Sequence, residues 1–209
     1  NQKQWQQVRD VALKQGFTVF IDLAYQGLGD GLEEDVYGTR LLAESLPELI
    51  VVSSCSKNFG LYRERTGAMT LICDSDAAAA VATTQIAGAA RAMYSMPPDH
   101  GAAIVQLILS NEALRTQWDA ELTEMRDRIN GLRVQFVKQI QSIGIEQDFS
   151  FIQREKGMFS FLGVNVDQVQ SLVNDYSIYL VNSSRINVAG INDSNLEYLA
   201  SSLASVLKA

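Results

Sequence analysis

A lysine framed by hydroxyls stands in Ser53-Ser54-Cys55-Ser56-Lys57-Asn58-Phe59-Gly60, with Arg63 and Arg65 close behind. The apolar run Leu49–Val52 leads into it. That run is short and uninterrupted, which suits a buried strand, so Lys57 falls where a strand gives way to a turn. Open α/β sheets bind ligands at the carboxyl ends of their strands. A lysine there is partly desolvated; burial disfavours its ammonium form and frees the amine as a nucleophile. Hydroxyls and a guanidinium nearby suit a phosphate group. An amine beside a phosphate site points to pyridoxal phosphate held as a Schiff base; the plain alternative is a solvated loop lysine.

A second candidate edge lies upstream. Phe17-Thr18-Val19-Phe20-Ile21 reads as a buried strand closed by Asp22, followed by Leu23-Ala24-Tyr25-Gln26-Gly27. Asp22 at a strand end suits the pyridinium nitrogen of such a cofactor, keeping it protonated, or simply caps a turn. Tyr25 suits the cofactor's phenolic oxygen.

The elements that must position these residues follow from periodicity. Gln4–Gln15 reads as a helix with Trp5, Val8, Val11, Ala12 and Gln15 on one stripe. A helix over 35–45 has Val36, Leu41 and Leu42 turned inward; a third strand covers Gly67–Cys73, and an alanine-rich helix covers Ala77–Met93. Pro97-Pro98 forces an extended break. Helix resumes over Gly101–Leu109. Asn111 caps a long helix to about Ser142, near 45 Å at about 1.5 Å per residue, with Gly131 as a bend. Beyond Gly144, strands are expected at Phe149–Ile152, Met158–Leu162, Ile178–Val181 and Arg185–Val188. Helices are expected at Asp167–Tyr176 and, capped by Asn192, to Leu207. Helix alternating with strand predicts an α/β class with a mostly parallel sheet, then a small α+β domain. The implied division is 1–110, a linking helix at 111–143, and 144–209.

Composition narrows the function classes. The 209 residues carry a net charge of −7 without a block of like charge, which argues against a nucleic-acid surface. No apolar run is long enough to span a bilayer. Cys55 and Cys73 give neither a disulfide framework nor metal spacing, and His100 is the single histidine. A reduced, cytoplasmic setting is the simplest reading. Cys55 reads as a packed residue, Arg63 as an ion-pairing one, His100 as a helix-start surface residue and Asn187 as structural.

Five segments occur in order: Asp22 to Gly27; Ser54 to Gly67; Tyr94-Ser95-Met96-Pro97-Pro98; Gly157-Met158-Phe159; and Ser184-Arg185-Ile186-Asn187-Val188-Ala189-Gly190. Together they resemble the class I pyridoxal-phosphate aminotransferases, aspartate/aromatic subgroup, over essentially the whole chain. The resemblance implies Lys57 as Schiff-base lysine and proton carrier, Asp22 at the pyridinium nitrogen, and Tyr25 at the phenolic oxygen. It implies Ser54, Ser56 and Arg65 at the phosphate, Arg185 at the substrate α-carboxylate, and Phe159 lining the pocket. Arg91 would reach a neighbouring subunit's site and bind a side-chain carboxylate, which requires a homodimer. The implied reaction moves an amino group from aspartate or an aromatic amino acid to 2-oxoglutarate. Met96 stands where aspartate-active members carry a polar residue, which implies aromatic substrates or a changed setting for Arg91.

The resemblance also implies further residues before Asn1, carrying a ring-stacking aromatic, a phosphate-binding turn and much of the large-domain sheet. On that reading this is a C-terminal portion, inactive alone and exposing apolar surface its other half would cover. A lyase or synthase on the same fold, and a ligand-sensing module of a transcription regulator, stand as alternatives.

Overall fold

Strand β1 (Val19–Leu23) runs parallel to β2 (Leu49–Ser54), with Ile21 opposite Val51 and Asp22 opposite Val52. The computed structural model describes residues 1–208. Helix α2 (Tyr37–Ser45) supplies the crossover between these strands, as a parallel pair requires. Strand β3 (Gly67–Ile72) then pairs antiparallel with β2, so the sheet is mixed, in the order β1-β2-β3. The expected parallel continuation is absent because the Lys57 connection contains no helix. It doubles back, with the Cys55 N–H donating to Thr66 O at 3.0 Å and the Leu61 N–H to Cys55 O at 3.2 Å.

Helix α1 (Gln2–Gln15) and α2 cover one face of this sheet. Ala12, Leu42 and Leu46 pack with Ile21 and Leu49 there, and Trp5 joins them. Gly38 lets the Trp5 ring lie against α2, because any Cβ at that position would collide with it. Val8 and Val11, expected on the inward stripe, are exposed. The stripe of α1 is narrower than periodicity suggests, since α1 meets one helix and one sheet face only. The opposite sheet face is open: Phe20 is 60% exposed and Met69 49%. Helices α3 (Asp76–Tyr94) and α4 (His100–Ser110) complete the first unit; α3 has no buried residue.

Helix α5 (Glu112–Ser142) is continuous through Gly131, and Asn111 Oδ1 accepts from the Leu114 N–H at 3.1 Å as the expected cap. The chain divides into two compact units within α5, after Leu122.

In the second unit α5, α7 (Val166–Tyr176) and α8 (Leu196–Lys208) bury Phe136, Ile140, Leu172 and Leu203 in one cluster. A capping box between Asn165 and Gln168 starts α7. The strand expected at Phe149–Ile152 is instead a short helix, α6 (Phe151–Arg154), because Asp148 accepts from the Ser150 N–H and starts a turn. Residues 178–181 form no strand; Ile178 and Leu180 are half-buried and packed against the core with no ladder partner. Strands β4 (Phe159–Phe161) and β5 (Arg185–Asn187) pair antiparallel, and a 3₁₀ turn at Val188–Gly190 follows. Asn192 begins a turn, and α8 starts four residues later than its expected cap. Among the described residues, no helix is long and apolar enough to cross a membrane.

Candidate active site

Parallel pairing of β1 and β2 puts their carboxyl ends on one edge, and Tyr25 and Lys57 follow the two strands there. Asp22 lies inside β1 rather than closing it, on the face opposite the buried Ile21. Its register partner is Val52, so Ser54, two residues further along β2, shares the Asp22 face. The Asp22 carboxylate makes no hydrogen bond or ion pair among the described residues. Beyond the strand ends the Lys57 Nζ lies 5.0 Å from the centroid of the Tyr25 ring. Sequence order separates Tyr25 from Lys57; the crossover brings them together.

The Lys57 turn is held from several sides. The Asn58 Nδ2 donates to Gln26 O at 3.3 Å, tying the lysine turn to the loop after Tyr25. The Trp118 Nε1 donates to Asn58 O at 2.8 Å, and its indole stacks on Phe59 with centroids 4.5 Å apart. The loop after Tyr25 is clamped as well. Asp35 accepts from the N–H groups of Gly27, Gly29 and Asp30 at 2.8, 2.9 and 2.8 Å. Gly27 has φ +90°, and a side chain there would strike Leu122. Asp35, Asn58 and Trp118 were not among the expected site residues. The signal for Asp35 is the glycine-rich loop it follows; Trp118 merges into the apolar stripe of α5.

Of the expected phosphate ligands, Ser54 Oγ accepts from the Ser56 N–H at 3.1 Å, and Ser56 is buried. Arg65 is exposed, with one guanidinium nitrogen donating to Tyr62 O at 3.0 Å. Its φ of +51° is costly for a non-glycine residue. Ser54 ends β2, and Ser56 and Arg65 lie on the connection that follows it to β3.

Arg185 and Phe159 meet in the second unit, with the guanidinium carbon 4.8 Å from the ring centroid. Ser184, immediately before Arg185, is buried with φ +63°. Its Oγ accepts from the Gly163 N–H at 3.1 Å and its carbonyl from the Leu162 N–H at 3.0 Å. Arg91, in the last turn of α3, meets none of the other candidates; its exposed guanidinium makes no hydrogen bond or ion pair among the described residues.

Burial pushes the Cys55 thiol up, which leaves less thiolate for nucleophilic chemistry. Arg63, expected to form an ion pair, forms none among the described residues. His100 starts α4 and its Nδ1 lies 2.9 Å from the Glu64 carboxylate. The Asn187 side chain accepts from the Ala189 N–H at 3.1 Å, a local cap.

The family model for aminotransferase class I and II matches residues 1–203. The chain belongs to this aminotransferase family. It is 48% identical over 205 residues to the aspartate aminotransferase of Haemophilus influenzae, covering 98% of this chain and 52% of that protein. It is 43% identical over 203 residues to the aromatic-amino-acid aminotransferase of Paracoccus denitrificans, covering 97% and 52%. The solved aromatic-amino-acid aminotransferase of Burkholderia pseudomallei, covalently bound to pyridoxal phosphate, superposes with a TM-score of 0.95 at 43% identity, over 99% of this chain and 52% of that one. The chain spans about half the length of the curated relatives it matches.

Proposed function

We propose that this chain carries the lysine, most of the cofactor contacts and the carboxylate arginine of a pyridoxal-phosphate-dependent aminotransferase. The amino donor is aspartate or an aromatic amino acid, and the acceptor is 2-oxoglutarate. The observation that carries this reading is the Lys57 amine against the Tyr25 ring at the carboxyl edge of two parallel strands. The residues present suit the cofactor. An amine faces a phenol, an unengaged carboxylate lies in β1, and a hydroxyl at the end of β2 is followed on the next connection by a second hydroxyl and a guanidinium.

When bound, pyridoxal phosphate supplies an electron sink that acidifies the α-proton of an amino acid. The Lys57 amine would hold the cofactor and, once the substrate's amine takes its place, would be free to carry the α-proton. The Asp22 carboxylate holds a proton on the ring nitrogen, and the Tyr25 hydroxyl donates to the phenolic oxygen. Ser54, Ser56 and Arg65 bind the phosphate. Arg185 grips the substrate α-carboxylate, which its planar fork matches, and Phe159 lines the pocket beside it. Arg91 binds a side-chain carboxylate in the partner subunit of a cytoplasmic homodimer serving amino-acid metabolism and biosynthesis. Residues 1–110 belong to the cofactor domain, 111–143 form the linking helix, and 144–209 form the small domain. Apolar surface such as Phe20 and Met69 favours an assembly that covers it.

A donor screen tests this. The intact protein, loaded with pyridoxal phosphate, is mixed with single amino acids and the cofactor's absorbance is followed. Aspartate or an aromatic amino acid should change the spectrum, and 2-oxoglutarate should restore it. No spectral change with any amino acid contradicts the reading.

A further inference from the structure

Arg133 is 1% exposed, at the centre of the second unit. Burying a guanidinium is expensive, and an apolar residue of similar volume often packs as well or better. The cost is incompletely offset. The Glu155 carboxylate is 3.6 Å from one terminal nitrogen, and the buried Nε has no hydrogen-bond partner. Burial pushes the group below the ordinary arginine range, with Glu155 opposing.

What Arg133 does have is a set of acceptors concentrated on one short ribbon. One terminal nitrogen donates to Ile152 O at 3.0 Å and to Ser160 Oγ; the other donates to Gly157 O at 2.7 Å and Phe159 O at 2.9 Å. The Ser160 hydroxyl in turn donates a hydrogen bond to the Glu155 carboxylate. Three of the four acceptors thus belong to residues 157–160, on or just before β4. The sheet they support is two strands of three residues, which is marginal by itself. Successive side chains on β4 alternate, so the buried Ser160 points to Arg133 while the exposed Phe159 points away. The Phe159 ring meets the Arg185 guanidinium, and Arg185 is paired across the ribbon with Phe161.

We propose that Arg133 is a positioning residue for the carboxylate subsite. By holding the carbonyls of Gly157 and Phe159 it fixes the height and pitch of β4, and so sets the Phe159 ring that orients Arg185. This rests on the reading of Arg185 as the α-carboxylate ligand. The effect falls on donor and acceptor alike, because amino acid and oxo acid carry the same carboxylate.

The test uses the intact protein with pyridoxal phosphate bound, and the variants Arg133→Met, Arg133→Lys and Arg185→Ala. Three quantities are read: the dissociation constant of succinate by calorimetry, KM and kcat for both substrates, and the urea midpoint. Arg133→Met should raise the succinate constant and both KM values about tenfold, the scale of one lost charge-assisted hydrogen bond. The kcat should change far less. Arg133→Lys keeps a charge, but its single nitrogen cannot serve all four acceptors, and it should fall between Arg133→Met and the native protein. A purely structural role would lower the folded fraction and apparent kcat while leaving KM and succinate binding alone. If Arg133→Met does not fold, Arg133→Lys decides. Native succinate binding in either folded variant, with binding weakened by Arg185→Ala, overturns the proposal and leaves the Arg185 reading standing. Native binding in Arg185→Ala overturns both.

Discussion

In the second unit, α5, α7 and α8 bury Phe136, Leu172 and Leu203 in one continuous cluster; in the first, Ala12, Ile21, Leu42, Leu46 and Leu49 cover only one face of the sheet. The open face carries Phe20 and Met69, and α3 buries nothing. The candidate cofactor residues, from Asp22 to Arg65, all fall in the half-covered unit. The Arg185–Phe159 pair rests on the closed one. The contrast is physical. A cofactor seat needs reactive groups on an accessible edge, and here the turns themselves are clamped by Asp35, Asn58 and Trp118. A residue proposed to grip a carboxylate must be aimed, and the ribbon that carries Arg185 rests on a packed core with Arg133 inside it.

The sharpest break in this contrast is chemical. Lys57→Ala should lower transamination by at least about 10²–10⁴-fold, the range of a lost general acid–base group, before its covalent role is counted. Steady-state kinetics with saturating pyridoxal phosphate measures it. Arg185→Ala should raise KM for both substrates, reflecting a loss of about 2–5 kcal/mol when one partner of a desolvated charge pair is removed.

Stability should divide between closed and open regions. Leu172→Ala should cost about 2–5 kcal/mol, since Leu172 is fully buried. Val8→Ala, on the exposed flank of α1, should stay within about 0.5 kcal/mol. Urea unfolding of both variants checks the pair; equal costs would erase the distinction.

The smallest effect is electrostatic. Hydrogen bonding to Arg40, then its charge, holds Glu33 in the first unit below the ordinary carboxylate range. Asp148 in the second is lowered first by the Ser150 backbone N–H, then by the Ser150 hydroxyl, with Arg154 contributing less. Each depressed value means stability present above the unfolded pKa and lost as pH falls through the folded one. Salt screens an exposed ion pair far more than a backbone hydrogen bond. Raising salt should therefore move Glu33 towards its ordinary value while Asp148 stays low, as carboxyl titration by NMR would record.

Much of this was legible because it is local. The β2–Lys57 turn, the Asn111 cap and the apolar repeat from Trp118 to Ile140 can each be read within a few residues. The resemblance then joined segments that lie far apart. What was illegible depends on tertiary partners. Val8 and Val11 obey helical spacing, yet no element covers them. Phe151 and Ile152 look like strand but follow the Asp148 turn into a helix. Arg133 looks like one more solvated helix charge, and only its four acceptors reveal it. Ser184, with its left-handed backbone beside Arg185, carries no mark in its residue type.

The central claim is that Lys57 is the residue that holds the cofactor. The intact protein would be incubated with pyridoxal phosphate, reduced with borohydride, digested and analysed by mass spectrometry. The account predicts one reduced cofactor adduct, on Lys57, and none in Lys57→Ala. An adduct confined to other lysines, or no adduct in a protein that otherwise transaminates, would contradict it.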